Sequence, residues 1–264
     1  MLYLVATPIG NLKDMTYRAV ETLQSVDYIA CEDTRTSKTL LAHYSISKPL
    51  VSHHKFNEKS SLDKIISDLK NGKNIALISD AGTPAISDPG NLLVKACQEE
   101  DIEYTLIPGA CAVTTAFVLS GMETPFTFIG FLPKKKGEKE NLLSKYCTYE
   151  GTLIFYVTQH NIHEDIASML DVFGNRKICV TRELTKKFES VYFSTLEEGY
   201  GDTEKGEFVL LVEGATESNN LNDLTIQEHY THYISSGLSK NDAIKSVAHD
   251  RKVKKDVVYK VING

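Results

Sequence analysis

The sequence predicts an α/β protein with two α/β domains in tandem and a short helical tail at its C-terminus. Up to about residue 119, short apolar runs alternate with segments of helical hydrophobic period, which is typical of a mostly parallel sheet. Residues 120–125, SGMETP, break this rhythm with glycine and proline and indicate a domain boundary. Later strands follow one another with few helices between them, which indicates antiparallel pairs in a mixed sheet.

The first domain is expected to span residues 1–121. Apolar runs predict its strands at residues 2–6, 28–31, 50–52, 74–78 and 104–107. Apolar residues at helical spacing predict its helices at residues 16–25, 37–43, 61–70, 91–100 and 112–119. One face of the third of these helices is apolar and is expected to pack on the sheet; it carries Leu62, Ile65, Ile66 and Leu69.

The second domain is expected to span residues 125–214. Its predicted strands lie at residues 126–131, 152–157, 177–181, 190–193 and 207–212, and its predicted helices at residues 138–146 and 162–173. Residues 215–223 are polar and rich in asparagine, which predicts a linker at the start of a 215–264 tail. The tail is predicted to form two or three short helices, one of them with a capped start at residues 238–242. Their spacing is typical either of a small packing module or of a helix-turn-helix that contacts RNA.

The composition limits the class of function. The chain has 264 residues, of which 42% are hydrophobic and 24% charged, as in an ordinary soluble protein. Its net charge of −6 has the wrong sign for a protein that coats nucleic acid without specificity. No apolar run approaches about 18 residues and the N-terminus has no basic region, so we expect a cytoplasmic protein without a membrane span. The five cysteines are scattered and no metal-ligand spacing occurs, so we expect reduced thiols and no bound metal.

Three polar loops that contain glycine follow predicted strands of the first domain. They are TPIGN at residues 7–11, SDAGTPAISDPG at residues 79–90 and PGACAVTT at residues 108–115. Parallel strands bring their carboxyl ends to one edge, so the three loops are expected to line one pocket. Neither the dinucleotide fingerprint nor a P-loop occurs, while Asp80 is an acceptor suited to a ribose hydroxyl or an ammonium group. The sequence therefore favours a nucleoside-like ligand.

Four motifs carry a resemblance to a known family. VATPIGNL at residues 5–12, CEDTR at 31–35, SDAGTPAISDPG at 79–90 and RELTK at 182–186 resemble the tetrapyrrole methylase superfamily, in particular its members that methylate small-subunit ribosomal RNA. The similarity extends from Leu2 to about Gly214. It departs from the family at Ala6, where glycine is usual and alanine adds one methyl group beside the first loop.

The resemblance implies a homodimer that binds S-adenosylmethionine between its two domains. It also implies methylation of the ribose 2′-oxygen of a cytidine in the decoding region of 16S rRNA, within the small ribosomal subunit. The cofactor contacts that it implies in the first domain are Ile9, Asp80, Gly82, Thr83, Cys111 and Ala112. Those that it implies in the second domain are Tyr156, Leu184 and Phe208.

A 2′-hydroxyl has to lose its proton when it attacks a methyl group, and a general base accelerates such a step by about a hundredfold or more. The candidate bases are Glu32, Asp33 and Asp88, together with Lys186 if burial lowers its pKa. The Glu32-Asp33-Thr34-Arg35 cluster is favoured because it should open on the same edge as the loops. The alternative is that a carboxylate there holds Arg35 for an RNA phosphate.

Other basic residues are candidate RNA contacts. They are Lys134, Lys135, Lys136 and Lys186, and the alternative for each is a solvated surface. Two further functions also stay open. One is a related methyltransferase that acts on a corrin precursor or a modified protein side chain. The other is a module that binds S-adenosylmethionine without turnover.

Overall fold

The chain folds into two five-stranded sheets with helices on their faces, followed by a helical tail. The computed structural model describes residues 1–54, 58–202, 205–215, 221, 224–251 and 253–263. The strands of the first sheet are β1 (Leu2–Val5), β2 (Tyr28–Cys31), β3 (Leu50–Ser52), β4 (Ile75–Ile78) and β5 (Tyr104–Ile107). Those of the second sheet are β6 (Phe126–Phe131), β7 (Thr152–Thr158), β8 (Lys177–Arg182), β9 (Ser190–Thr195) and β10 (Glu207–Val212). The predicted α/β class and tandem arrangement are confirmed.

Helices connect and cover the strands. Those of the first half are α1 (Tyr17–Ser25), α2 (Thr34–His43), α3 (Glu58–Lys70), α4 (Asn91–Glu99) and α5 (Ala112–Ser120). Those of the second half are α6 (Lys136–Ser144), α7 (Ile162–Phe173), α8 (Ile226–Ser235), α9 (Lys240–Asp250) and α10 (Lys255–Asn263), and a 3₁₀ helix covers Leu12–Asp14. Helix α2 begins three residues before its predicted start, because the Asp33 side chain caps it by accepting a hydrogen bond from Arg35 N.

The first sheet is entirely parallel, with strand order β3-β2-β4-β1-β5. Successive residues of a strand face opposite sides, so Leu4 packs with α3 and α4 whereas Val5 packs with α1 and α2. Because all five strands run the same way, the loops that follow β1, β2, β4 and β5 emerge at one edge. This arrangement brings the predicted loops to the same side of the molecule.

The second sheet is mixed, as predicted. Its order is β6-β7-β10-β8-β9, in which β6 and β7 are parallel and the other neighbouring pairs are antiparallel. One face carries Phe155 and Leu210 and packs against α6 and α7. The opposite face carries Ile154, Cys179 and Leu211, which form a core with residues of α5. The second sheet is therefore covered on both faces.

Helix α5 joins the two halves of the molecule. It follows the last strand of the first sheet, yet it packs on β8 and β10 of the second sheet. Val113 and Ala116 are buried there against Cys179 and Val209. The contact is apolar, and it fixes the carboxyl edge of the first sheet beside the second sheet.

The tail forms three helices that pack on one another around Val247 and Val258. The predicted capped start is confirmed, because the Ser239 side chain accepts a hydrogen bond from Asp242 N at the start of α9. Most of the predicted linker, residues 216–220, 222 and 223, lies outside the described residues, as do residues 55–57 after β3.

Candidate active site

Hydrogen bonds tie the three predicted loops together at the carboxyl edge of the first sheet. Thr7 N donates to Gly82 O at 2.9 Å, and Gly82 N donates to Thr7 O at 3.1 Å. The Thr83 hydroxyl donates to Ala110 O at 3.1 Å, which links the loop after β4 to the loop after β5. Gly82 has a φ of +78°, a conformation that favours glycine. The loops therefore form one connected wall.

A cavity of about 490 Å³ lies between this wall and the second sheet. The second sheet contributes the ends of β6 and β7 and the start of β10, and Leu184 contributes from the loop after β8. Eight of the nine residues predicted to contact a cofactor line the cavity, namely Ile9, Gly82, Thr83, Cys111, Ala112, Tyr156, Leu184 and Phe208. The ninth, Asp80, is not among the lining residues, and its carboxylate accepts a hydrogen bond from Asp33 N at 3.2 Å.

Residues 183–186, which we call the inter-sheet loop, hold the two walls together. Asn11 N donates to the Thr185 hydroxyl at 2.9 Å, so the first loop is bound directly to the second half of the chain. Glu183 and Thr185 have φ values of 51° and 65°, which residues other than glycine rarely adopt. The Glu183 carboxylate supports this backbone by accepting hydrogen bonds from Glu207 N at 2.9 Å and from the Lys186 ammonium at 3.0 Å. Leu184 is thereby held in the cavity wall.

The approach of the inter-sheet loop to Gly10 leaves no room for a side chain. A Cβ atom on Gly10 would lie 2.5 Å from Lys186 Cγ, 2.8 Å from Thr185 Oγ1 and 2.9 Å from Leu184 O. These separations are well inside the roughly 3.5–4.0 Å of ordinary carbon contacts. The glycine of the first loop is therefore needed for the contact between the two halves.

Carboxylates gather beside the cavity. Asp88 lines it, and burial raises the pKa of Asp88, although a hydrogen bond with Ser79 partly offsets this rise. Burial also raises the pKa of Glu32, and the negative charges of Asp88 and Asp80 add to that shift. Both groups take up protons more readily than ordinary carboxylates, while their charges favour a cationic ligand nearby.

Asp33 differs from these two carboxylates in its hydrogen-bond partners and in the direction of its pKa shift. Asp33 accepts hydrogen bonds from Arg35 N at 2.7 Å and from the Arg35 guanidinium at 3.0 Å. These bonds lower the pKa of Asp33, which makes it a weaker proton acceptor than Glu32 or Asp88. Asp33 thus caps α2 and holds Arg35, whose side chain is 91% exposed.

The candidate lysines differ in what they contact. Lys135 and Lys136 pair with Glu138 and Glu140 on α6, whereas Lys134 is exposed just before that helix. Lys186 lies between Glu183 and Glu207 at 3.0 and 2.8 Å. Burial lowers its pKa, but the two carboxylates outweigh this effect and the net pKa is raised, so the proposed condition for Lys186 as a base is not met.

Sequence reasoning missed several residues of the cavity. Phe131, Gln159, His160 and Glu207 line it, although no motif singled them out. Phe131 had one usable signal, because it is a large apolar residue at the end of a predicted strand, two residues before a proline that precedes three lysines.

Two kinds of feature are absent among the described residues. No helix among them is long and apolar enough to cross a membrane. In the same part of the chain, no group of three or more His, Cys, Asp or Glu side chains is arranged to hold a metal ion.

The chain is similar in sequence to a known family and to named proteins. The family Tetrapyrrole (Corrin/Porphyrin) Methylases matches residues 1–199. Ribosomal RNA small subunit methyltransferase I of Bacillus subtilis (strain 168) is 48% identical over 270 residues, covering 98% of this chain and 92% of that protein. The protein of the same name from Synechocystis sp. (strain ATCC 27184 / PCC 6803 / Kazusa) is 40% identical, covering 99% of this chain and 96% of that protein.

Solved structures share the fold at low sequence identity. Diphthine synthase has a TM-score of 0.62 and 13% identity, covering 81% of this chain and 90% of that chain. The methyltransferase CobJ has a TM-score of 0.62 and 17% identity, covering 81% of this chain and 94% of that chain.

Proposed function

Because the chain belongs to the tetrapyrrole methylase family, and within it to the ribosomal RNA small subunit methyltransferase I group, we propose that it methylates 16S rRNA with S-adenosylmethionine. The acceptor that we propose is the 2′-oxygen of a cytidine in the decoding region. The full-length similarity to relatives named for this activity supports the substrate class.

The observation that carries the proposal is the cavity between the two sheets. Its volume of about 490 Å³ lies within the roughly 300–1,000 Å³ of small-molecule sites. Its walls combine apolar side chains such as Ile9 and Leu184 with the Asp88 carboxylate. Apolar walls suit the nucleoside part of S-adenosylmethionine, and the neighbouring negative charges suit its sulfonium and ammonium groups. The residues present therefore fit this cofactor.

When bound, S-adenosylmethionine would supply a methyl group on a positively charged sulfur atom. The protein then has to orient the acceptor hydroxyl and remove its proton as the oxygen–carbon bond forms and the carbon–sulfur bond breaks. We propose Asp88 for the proton, since it lines the cavity and its pKa is raised. Glu32 is the neighbouring alternative, whereas the pairing of Asp33 with Arg35 supports a role in holding that cation.

The same carboxylates repel RNA phosphates, so the RNA backbone has to be held away from them. Arg35 and Lys134 are exposed cations suited to phosphate contacts. Lys135, Lys136 and Lys186 already pair with carboxylates, so their contribution to RNA binding is expected to be smaller.

A homodimer is also part of the proposal. Strand β5 is an outer strand of the first sheet, and its Tyr104 and Leu106 side chains are exposed. Val118 on the neighbouring α5 is 77% exposed. Apolar side chains on an outer strand and helix suit an interface between two copies, and sedimentation equilibrium would measure the mass in solution.

The test of the reaction is methyl transfer from labelled S-adenosylmethionine to small ribosomal subunits taken from a strain that lacks this protein. Nuclease digestion and mass spectrometry would then locate the label. A single methylated cytidine ribose is expected. Label on a base or on a ribosomal protein would refute the proposed acceptor. Cofactor binding without any transfer would instead favour another small-molecule or protein acceptor, or a module without turnover.

A further inference from the structure

Phe131 is an aromatic side chain left exposed at the cavity. It ends β6, lines the cavity and is 56% exposed. Its ring centroid lies 5.4 Å from that of Tyr156, which in turn lies 4.8 Å from that of Phe128. Tyr156 and Phe128 are less exposed than Phe131 and pack in the core between the sheets, so the Tyr156 ring supports one side of Phe131. The Phe131 ring thus presents exposed apolar surface at the cavity.

The proposed reaction requires a group that occupies such a surface. A 2′-hydroxyl can approach Asp88 only if its nucleotide leaves the surrounding RNA helix, because a paired nucleotide cannot enter a cavity between two sheets. A base that has left its stack exposes both of its faces, and proteins commonly cover such faces with aromatic rings. Asp88 and Phe131 come from different halves of the chain and line the same cavity.

Polar groups line the same cavity as the ring. Gln159 and His160 line the cavity at the end of β7, with Gln159 Nε2 3.1 Å from His160 Nε2. Both side chains can form hydrogen bonds with the edge of a base. Lys134, three residues after Phe131, is exposed and suited to the adjacent phosphate. The arrangement therefore offers a ring for the base face, amide and imidazole groups for its edge, and a cation for the backbone.

We propose that Phe131 is the stacking platform for the base of the acceptor nucleotide. The inference rests on the proposed function, since it assigns a residue to the binding of that acceptor. The alternative is that Phe131 stacks on the adenine of the cofactor, and the experiment below distinguishes the two roles.

The experiment compares wild-type protein with Phe131→Ala, Phe131→Leu and Phe131→Trp. Methyl transfer to small subunits gives kcat and KM for the subunit, and equilibrium dialysis with labelled S-adenosylmethionine gives the cofactor Kd. Leucine keeps an apolar side chain but has no ring face, whereas tryptophan keeps the face. Phe193→Ala is the matched control, because Phe193 is 62% exposed on the outer strand β9 and does not line the cavity.

Stacking predicts that Phe131→Ala and Phe131→Leu raise the KM for the subunit by about 5- to 150-fold, the range found when an aromatic platform is removed. Phe131→Trp should stay within a few-fold of wild type, and the cofactor Kd should change less than twofold in all variants. Phe193→Ala should match wild type in every measurement.

Three outcomes would overturn the inference. Normal KM in Phe131→Ala would remove Phe131 from acceptor binding. Full activity in Phe131→Leu would reduce its role to apolar packing. A weakened cofactor Kd with an unchanged KM for the subunit would place the ring against the adenine. Failure of the wild-type protein to methylate small subunits would instead refute the proposed function, and the inference with it.

Discussion

Replacement of Gly10 by alanine tests whether the contact between the two halves shapes the cavity. The new methyl group would lie 2.9 Å from Leu184 O, so the backbone of the inter-sheet loop has to move by roughly 0.5 Å to restore ordinary contact. The Lys186 side chain can move away only by disturbing its ion pairs with Glu183 and Glu207, and the loop backbone is held by the hydrogen bond from Glu207 N to the Glu183 carboxylate. Overpacking of this kind destabilises a protein by about 1–3 kcal/mol.

The displacement also moves Leu184, which lines the cavity. We therefore expect Gly10→Ala to lower the free energy of unfolding by about 1–3 kcal/mol. We also expect it to weaken S-adenosylmethionine binding by about tenfold, if roughly 1.4 kcal/mol of the distortion falls on the bound state. Urea unfolding and isothermal titration calorimetry measure the two effects separately.

Gly137→Ala is the matched control for this substitution. Gly137 lies in α6, and a Cβ atom there would meet no heavy atom within 4 Å. Because Gly137 is in the first turn of α6, alanine should stabilise the protein by no more than about 0.5–1 kcal/mol, and it should not destabilise it as Gly10→Ala does. Wild-type stability and cofactor affinity in Gly10→Ala would refute the reasoning, because the two walls would then not depend on this close approach.

Three other perturbations have outcomes that follow from the structure. Asp88→Asn should lower methyl transfer by about 10²–10⁴-fold. Because burial raises the pKa of Asp88, the substitution should also stabilise the fold at pH 7, and this gain should shrink as the pH falls below that pKa, where the native carboxyl is already neutral. Equal urea midpoints of the two proteins at pH 7 would contradict the stability prediction. Gly109→Ala would place a Cβ atom 3.0 Å from Ala6 Cβ, so it should lower the free energy of unfolding more in the wild-type protein than in an Ala6→Gly variant. A double-mutant cycle that shows no coupling between the two substitutions would contradict this. Lys139→Met leaves Asp165 buried without the ammonium group that lies 2.7 Å from it, so it should lower the free energy of unfolding by about 3–5 kcal/mol. Because burial raises the pKa of Asp165, this decrease should be smaller near pH 4 than at pH 7. A decrease that does not depend on pH would contradict the prediction.

The sequence could predict most of the strands and helices because local patterns determine them. Apolar runs bounded by turn residues gave β2, β3 and β5 with their observed bounds. The start of α2 was missed, because Thr34 and Arg35 carry no apolar period and the helix there depends on the Asp33 cap. Hydrophobic periodicity thus locates the body of a helix, while capping decides where it begins.

The site was harder to predict than the fold because loop residues are placed by distant contacts. Asp80 and Asp88 belong to one polar loop, and only its folded path brings Asp88 into the cavity wall. Lys186 pairs with its near neighbour Glu183 and also with Glu207, which is 21 residues away in the chain, so only part of its raised pKa had a local signal. The predicted cofactor residues, in contrast, follow strands whose direction was already evident from the pattern.

Helix α5 has a consequence for synthesis of the chain. Its apolar face packs on β8 and β10, and the last of these ends at Val212. At about 5–20 residues per second, the ribosome needs roughly 5–20 s to make the 90 or so residues between the end of α5 and the end of β10. During this interval the nascent first half exposes the apolar surface of α5, and transiently exposed apolar surface favours aggregation. Ribosome pausing before β10 would prolong that exposure and should increase aggregation without any change in the finished protein.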